Sequence, residues 1–376
     1  MKQLVKITAL FIALICLIGC NQKVEKETTH KLNSLKIAFK DKFHIGAAIN
    51  DSQIIGTDTL AVRLLEKEFK SITAENVMKW EEIHPLPDSF YFDLSDKFIA
   101  LGEKNDMHIV GHTLLWHSQI ADFMHNIQDS AMMANHIENH INTIVGRYKG
   151  RVHTWDVVNE ALNEDGSLRE SLFFNVMGED FLELAFKYAA TADPQAQLVY
   201  NDYNLWKPEK RKGVERLVKK LQTKGVKIDG VGMQAHWSIE GPALEDIENS
   251  IIAYHALGVK VMFTELDITV LPNPWDLEGA EISQNFEGSA YMDPYPNGLP
   301  DSLQLKLAQR YKDIFDLFLK HEDKISRVTF WGMNDGHSWL NNWPIKGRTN
   351  YPLLFDRKNR SKKAYDSVLQ LLPNTK

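Results

Sequence analysis

The 376-residue chain has little cysteine and no excess of positive charge. It contains 2 Cys, and its 43 Lys and Arg are set against 50 Asp and Glu, for a net charge of −7. Two cysteines cannot form a disulfide scaffold or a four-thiolate metal site. A mildly acidic chain also lacks the basic face that nucleic-acid binding needs. We therefore expect no nucleic-acid partner.

The rest of the composition is that of one large folded domain. Hydrophobic residues make up 44% of the chain, which excludes a disordered or collagen-like protein. Length alone suggests two domains, but α/β barrels commonly reach about 250 residues or more as a single unit. No charge run, low-complexity tract or second linker interrupts residues 35–372. We expect a single domain over residues 34–376, acting as a monomer.

The N-terminus has the features of a bacterial export signal. Lys2 and Lys6 accompany an apolar run over residues 7–19, which is too short to span a bilayer. The run ends in Leu-Ile-Gly-Cys, which resembles the bacterial lipobox and implies lipidation of Cys20; a chance cysteine is the alternative. Residues 20–33 would then be a flexible tether. We expect residues 1–19 to be removed and the protein to be exported across the inner membrane and lipid-anchored, at the outer membrane or cell surface.

Short apolar segments alternate with longer amphipathic ones along the domain. The eight strand candidates are 44–50, 71–75, 108–112, 152–159, 197–201, 230–235, 260–265 and 327–332. The helical segments between them include 132–148, 179–192, 209–224, 243–257 and 303–320. Gly225 and Gly258 follow two of these helices, where a glycine commonly ends a helix.

This alternation predicts the α/β class and a single (β/α)8 TIM barrel, because eight parallel strands with helices between them can close a barrel. The alternative is an open doubly wound sheet, which usually has a glycine-rich loop after its first strand. Residues 46–50 read Gly-Ala-Ala-Ile-Asn and lack that loop.

One connection is unusually long. About sixty residues separate strands seven and eight, and residues 271–300 are rich in Pro, Gly, Asn and aromatic side chains. Loops of this length are usually functional or disordered. We interpret residues 271–300 as a functional insertion, since they follow a strand end of the kind at which barrel active sites lie.

Two glutamates stand at strand ends, Glu160 after the fourth strand and Glu265 after the seventh. Each follows an apolar strand, and a partly buried carboxylate is costly unless it is paired or hydrogen-bonded. Each could simply cap the next element. Two carboxyl groups that face each other across a barrel mouth are, however, what glycosidic bond cleavage requires.

Aromatic and polar residues also gather at the predicted strand ends. Eight tryptophans are expected around the barrel mouth, where an indole face suits a sugar ring: Trp80, Trp116, Trp206, Trp237, Trp275, Trp331, Trp339 and Trp343. Candidate polar contacts are Glu75, Asn76, Lys79, His112, His117, Asn201, Gln234 and His236. A zinc site is the alternative, but His112 and His117 lack the i, i+4 spacing of a helical zinc pair, so we expect no metal and no other cofactor.

Five segments in this order resemble glycoside hydrolase family 10, the retaining endo-β-1,4-xylanases. They are TAENVMKW (73–80), GHTLLWH (111–117), WDVVNE (155–160), GMQAH (232–236) and TELD (264–267), with FWG (330–332) at the eighth strand. The resemblance implies Glu160 as general acid/base, Glu265 as nucleophile, and xylan or xylo-oligosaccharides as substrate.

The resemblance also implies roles for the residues around them. Asn159 would hold the sugar's 2-hydroxyl, His236 would hydrogen-bond the nucleophile, and Asp267 would orient His236. The family often has a cis peptide at the position of His112–Thr113. Sugar contacts on the glycone side would come from Glu75, Asn76, Lys79, His112, Trp116 and Gln234, and an aromatic wall from Trp331 and Trp339.

Two alternative functions remain at this point. A related retaining enzyme that cuts cellulose or mixed-linkage β-glucan would share the carboxylates and differ only in its substrate contacts. A non-catalytic surface lipoprotein that binds glycans would share the aromatic residues and have no activity.

Overall fold

The computed structural model describes residues 34–277 and 279–372, and residues 34–372 form one compact unit. Nine strands lie in this part of the chain: β1 (His44–Ile49), β2 (Ser71–Ala74), β3 (His108–Trp116), β4 (Thr154–Asn159), β5 (Gln197–Asp202), β6 (Gly230–Met233), β7 (His236–Ser238), β8 (Lys260–Thr269) and β9 (Ile325–Phe330).

The strands close into a parallel barrel. Pairing runs in chain order from β1 to β6, and β9 returns to pair with β1. Strands β6 and β7 both pair with β8, through Gly230 with Lys260 and His236 with Asp267, so they are two pieces of one barrel strand. The break falls at Gln234 and Ala235. The predicted eight-stranded (β/α)8 barrel is confirmed.

Helices connect successive strands on the outside of the barrel. In the described residues these are α1 (Leu35–Ala38), α2 (Asp51–Ile54), α3 (Thr59–Glu68), α4 (Trp80–Ile83), α5 (Asp93–Lys104), α6 (Ser130–Arg147), α7 (Leu172–Met177), α8 (Asp180–Ala192), α9 (Pro208–Thr223), α10 (Leu244–His255), α11 (Asp301–Lys320) and α12 (Lys363–Leu369). The five helices predicted from periodicity are α6, α8, α9, α10 and α11. Gly225 and Gly258 follow α9 and α10 with φ of +67° and +81°, as a helix stop requires.

The helices bury one apolar stripe each. In α11, Leu307, Tyr311 and Ile314 are at most 1% exposed. Burying a large apolar side chain of this kind contributes about 1.5–3 kcal/mol. Between β3 and β4 the packing is so close that a Cβ on Gly111 would lie 2.1 Å from the ring of Trp155. A side chain at position 111 would therefore displace that tryptophan.

The insertion between β8 and α11 contains no helix or strand in its described residues, 271–277 and 279–300. Hydrogen bonds hold it to the loop that follows β9. Arg348 Nη1 donates to Pro272 O at 2.9 Å, and the amide of Thr349 donates to Asp293 Oδ1 at 3.0 Å. The insertion therefore lies at the barrel end that carries the carboxyl ends of the strands.

Three predictions for the N-terminus fall on residues 1–33, which lie outside the described part of the chain. They are the signal over residues 1–19, lipidation of Cys20, and the tether over residues 20–33. Residues 373–376 of the predicted domain also lie outside it. None of the helices described between residues 34 and 372 is long and apolar enough to cross a bilayer.

Candidate active site

Glu160 lies directly after β4, at the mouth of the barrel. Its backbone has φ of +58°, and its amide donates to Asn201 O at 2.9 Å. A non-glycine residue in this left-handed region costs roughly 1–2 kcal/mol and persists where the surroundings enforce it. The residue is 4% exposed, with Oε2 accepting from Trp116 Nε1 and Oε1 accepting from Gln234 Nε2, both at 2.8 Å.

The pKa of Glu160 lies above its ordinary value. Burial is the largest cause, because it penalises the charged form, and the negative charge of Asp202 acts in the same direction. The nearby His117 and the hydrogen bonds from Gln234 and Trp116 oppose the rise without cancelling it. Glu160 is therefore suited to hold a proton and donate it.

Glu265 lies within β8 and is 5% exposed. Its Oε1 accepts from Asn201 Nδ2 at 2.8 Å, and its Oε2 lies 3.3 Å from His236 Nε2. Burial would raise the pKa of Glu265, but the hydrogen bond from His236, the charges of His112 and His236, and the Asn201 hydrogen bond together bring it below its ordinary value. Glu265 is therefore suited to act as a carboxylate.

His236 links that carboxylate to a second one. Its Nδ1 lies 3.1 Å from Asp267 Oδ1, and Asp267 Oδ2 accepts from Trp339 Nε1 at 2.8 Å. Burial acts to lower the pKa of His236, but the charges and hydrogen bonds of Asp267 and Glu265 outweigh it and raise the pKa to about 10. His236 is thus a cation at neutral pH, held between two carboxylates.

Three side-chain amides lie between the two glutamates. The Asn159 amide lies 3.0 Å from Asn201 Nδ2 and 3.3 Å from Gln234 Nε2. Gln234 in turn reaches Glu160, and Asn201 reaches Glu265. Asn159 is 3% exposed, at the end of β4. This chain of amides fixes the two carboxyl groups relative to each other.

One side of the cavity is a cluster of polar groups around Lys79. Its Nζ donates to Asn76 Oδ1 at 2.8 Å and to Gln119 Oε1 at 2.7 Å, and it lies 5.0 Å from the Trp116 ring centroid. Burial lowers the pKa of Lys79 and raises that of Glu75. The two groups oppose these shifts, because each stabilises the charged form of the other. These groups offer donors and acceptors to a hydroxylated ligand.

His112 contacts Trp331, one of the two tryptophans of the aromatic wall. Its Nδ1 lies 3.0 Å from Asp156 Oδ2, and its ring meets Trp331 edge-on at 5.3 Å between centroids. The His112–Thr113 peptide bond is cis, as the resemblance led us to expect.

These residues surround a cavity of about 260 Å³ that contains both glutamates. Twelve of the thirteen predicted catalytic and binding residues line it: Glu75, Asn76, Lys79, His112, Trp116, Asn159, Glu160, Gln234, His236, Glu265, Trp331 and Trp339. The thirteenth, Asp267, lies one side chain behind, against His236, and lines an adjoining cavity of about 390 Å³. A larger cavity, about 650 Å³, lies between α8 and α9 and contains neither glutamate.

The expectation that eight tryptophans line the mouth is wrong for Trp80. This residue is 2% exposed, and its ring stacks on His140 of α6 at 3.7 Å between centroids. The loop after β2 turns it into the space between α4 and α6. Trp206, Trp237 and Trp343 line the adjoining cavity, whereas Trp275 is 96% exposed on the insertion.

The insertion supplies three residues that the sequence patterns did not single out for this site. Ala280 and Ile282 line the cavity, and Glu281 Oε2 lies 3.1 Å from His117 Nε2. Arg169 Nη1 also donates to Glu281 Oε2, at 2.8 Å. These contacts join positions more than a hundred residues apart, and the insertion has no periodic pattern from which they could be read.

No group of three or more His, Cys, Asp or Glu side chains within residues 34–277 and 279–372 is arranged to hold a metal ion.

A parallel barrel with two buried glutamates at its mouth, one favouring its protonated form and the other its charged form, is the arrangement expected of a glycoside hydrolase. The model of the family described as "Glycosyl hydrolase family 10" matches residues 34–371. The chain therefore belongs to glycosyl hydrolase family 10.

Relatives with known activities or structures match along most of the domain. The chain is 43% identical over 334 residues to endo-1,4-beta-xylanase A of Xylanibacter ruminicola, covering 88% of this chain and 90% of that protein. It is 39% identical to an endo-1,4-beta-xylanase of Geobacillus stearothermophilus, covering 90% and 98%. A GH10 endoxylanase structure from a sugarcane soil metagenome superposes with a TM-score of 0.87 at 46% identity, covering 90% and 99%.

Proposed function

We propose that this protein is an endo-β-1,4-xylanase that hydrolyses internal xylosidic bonds of xylan with retention of anomeric configuration. The observation that carries the proposal is the pair of buried glutamates whose pKa values move in opposite directions. One carboxyl group that keeps its proton and one that does not are what a glycosidase requires. Membership in family 10 supports retention of configuration. Membership in family 10 and the names of its relatives support xylan as the substrate.

In the first step Glu265 attacks the anomeric carbon. The bond between that carbon and the glycosidic oxygen breaks, and Glu160 gives its proton to the departing oxygen. A covalent glycosyl ester on Glu265 results. Esterification removes the negative charge of Glu265, which lowers the pKa of Glu160. Glu160 has given up its proton and can now act as a general base.

In the second step Glu160 takes a proton from water, and the oxygen of that water attacks the anomeric carbon. The ester bond breaks, Glu265 leaves as a carboxylate, and the sugar is released with its original configuration. His236, a cation held by Asp267, stabilises the Glu265 carboxylate as nucleophile and as leaving group. Asn159 is placed between the glutamates to hold the 2-hydroxyl, a bond that strengthens in the transition state.

The remaining cavity residues bind the polymer. Lys79, Asn76 and Glu75 present polar groups to the sugar hydroxyls on one side, and His112, Trp116 and Gln234 complete that side of the cavity. The faces of Trp331 and Trp339 suit the apolar faces of pyranose rings.

The test is to digest arabinoxylan, glucuronoxylan and mixed-linkage β-glucan in parallel and to chromatograph the products over time. We expect a series of xylo-oligosaccharides from both xylans at early times, which indicates internal cleavage. Equal rates on β-glucan would instead support a β-1,4-glucanase. The Glu265→Ala variant is the control, because residual activity in it would point to another enzyme in the preparation.

We also propose that the protein is a monomeric lipoprotein, with residues 1–19 removed and Cys20 acylated. The apolar run before Leu-Ile-Gly-Cys supports this proposal. Stable anchoring needs two or more acyl chains, and a lipoprotein cysteine carries that number. Palmitate labelling should be lost in Cys20→Ser, and the variant protein should be released from the membrane fraction. Hydrolysis of xylan added to intact cells would show that the enzyme faces outward.

The monomeric state has a separate test. Elution from a sizing column at the mass of one chain would support the monomer.

A further inference from the structure

The insertion at residues 271–300 places one carboxylate behind the proposed acid/base. Glu281 Oε2 lies 3.1 Å from His117 Nε2 and accepts from Arg169 Nη1 at 2.8 Å. The Glu281 side chain is 21% exposed, and those of His117 and Arg169 are 14% and 17% exposed. The three groups therefore meet largely out of contact with solvent.

Both partners of Glu281 also contact Glu160. His117 Nδ1 lies 3.9 Å from Glu160 Oε2, which is the oxygen that accepts from Trp116. Arg169 Nε donates to the backbone oxygen of Glu160 at 3.0 Å. Glu281 is thus linked to the backbone of Glu160 by hydrogen bonds through Arg169, and to its carboxyl group by the electrostatic interaction with His117, whose Nδ1 makes no hydrogen bond in the described part of the chain.

The charges of Glu281 and its two partners favour a fixed arrangement of the three groups. The hydrogen bond from His117 is the main cause that lowers the pKa of Glu281 to about 2; burial opposes it, and the charges of His117 and Arg169 assist it. Glu281 is therefore a carboxylate at neutral pH. The other charged or titratable groups that interact with Glu160 are Asp202, Lys79, Tyr200 and Tyr203.

Arg169 is shared with a third group, which fixes its orientation. Its Nη2 donates to the hydroxyl oxygen of Tyr203 at 2.7 Å, while Nη1 and Nε reach Glu281 and Glu160. The guanidinium therefore has one planar orientation that satisfies all three contacts. Loss of the Glu281 carboxylate would remove the contact that holds the Nη1 edge of the Arg169 guanidinium.

We propose that Glu281 is a positioning residue for the general acid/base: it orients His117 and Arg169, and these fix Glu160 for proton transfer to the leaving oxygen. The inference rests on the proposed function, because it takes the acid role of Glu160 from there. The insertion then contributes to catalysis as well as to the cavity wall.

A positioning role for Glu281 predicts a dependence on the leaving group that a purely structural role does not. Proton donation matters most when the leaving group is poor, and a dinitrophenolate leaves without a proton. A poorly aligned Glu160 should therefore slow the cleavage of a xylobioside with an unactivated phenol while sparing the dinitrophenyl xylobioside. The value to compare is kcat/KM, which reports the glycosylation step in both substrates.

The experiment measures kcat/KM on both substrates for Glu281→Gln, Glu281→Ala and Glu281→Asp. We expect Gln and Ala to lose roughly tenfold on the unactivated substrate, part of the roughly 10²–10⁴-fold that general acid catalysis supplies. Values for the dinitrophenyl substrate should stay near wild type. Glu281→Asp keeps the charge and should recover part of the loss. The matched control is Glu287→Gln, which removes an exposed carboxylate of the same insertion.

Equal losses on the two substrates, or no loss on either, would overturn the inference. Glu160→Ala separates this result from a failure of the proposed function. If Glu160→Ala shows the selective loss and the Glu281 variants do not, only the role of Glu281 is wrong. If Glu160→Ala itself shows no dependence on the leaving group, its assignment as the acid is wrong. Should Glu281→Ala fail to fold, the comparison of Gln with Asp decides the matter.

Discussion

Asn201 holds Glu265 with its side chain, Nδ2 donating to Glu265 Oε1 at 2.8 Å. The backbone oxygen of the same residue accepts from the amide of Glu160 at 2.9 Å. Thr264 Oγ1 donates to Asn201 Oδ1 at 2.6 Å and so fixes the amide. One residue at the end of β5 therefore sets the position of both glutamates.

Replacing Asn201 with alanine should lower kcat on xylan. The variant loses the hydrogen bond that positions the Glu265 carboxylate, and misplacement of a reacting group can cost roughly 100-fold in rate. The backbone contact to Glu160 remains, so the variant should fold. Steady-state kinetics check this, with Asn135→Ala on the exposed face of α6 as the matched control. A variant with unchanged kcat would show that Asn201 does not assist Glu265.

The pH profile of kcat/KM should be bell-shaped. Below the lowered pKa of Glu265 the nucleophile is protonated, and activity falls as the pH decreases. Above the raised pKa of Glu160 the acid has lost its proton, and activity falls as the pH increases. A profile without an alkaline limb attributable to Glu160 would contradict these assignments.

Trp116→Phe should move the alkaline limb of that profile to higher pH. The indole of Trp116 donates to Glu160 and favours its charged form, so its loss raises the pKa of Glu160 further. Trp275→Phe, at a residue 96% exposed, is the matched control and should leave the limb in place. A shift to lower pH in Trp116→Phe would mean that the hydrogen bond has the opposite effect.

The imidazole of His236 should titrate near pH 10, and Asp267→Asn should bring that titration to lower pH. The cation is stabilised by Asp267 and Glu265 against the effect of burial, and the variant removes the larger of the two charge contributions. Nitrogen chemical shifts of the imidazole, followed by NMR across the alkaline range, measure both midpoints. A wild-type midpoint close to the ordinary value for histidine would show that the Asp267 contact is not formed in solution.

Trp80 and Trp339 should respond to alanine in different ways. Trp80 stacks on His140 in the core, and truncation of a buried tryptophan costs about 3–5 kcal/mol of unfolding free energy. Trp339 lines the cavity, so its loss should mainly raise KM for xylo-oligosaccharides. Thermal unfolding and KM, measured on both variants, check the contrast. A raised KM with unchanged stability in Trp80→Ala would contradict its place in the core.

The sequence predicts the barrel and most of the site because both depend on strand ends. A residue at or close to the carboxyl end of a predicted parallel strand lies near the barrel mouth whatever the loops do, which is why Glu160, Glu265 and His236 are identifiable. Trp80 lies six residues beyond β2, and the direction of its side chain depends on the course of the loop. Glu281 depends on contacts with His117 and Arg169, 164 and 112 residues away, and no local pattern encodes them.

If Glu265 is the nucleophile, it carries a covalent glycosyl ester during turnover, and this intermediate can be trapped. A dinitrophenyl 2-deoxy-2-fluoroxylobioside is incubated with the enzyme, because the fluorine slows turnover of the ester, and the labelled protein is digested and sequenced by mass spectrometry. We expect one fluoroxylobiosyl group per chain, on Glu265, and none in Glu265→Ala. A label on Glu160 or another residue, or hydrolysis without any covalent label, would contradict that role.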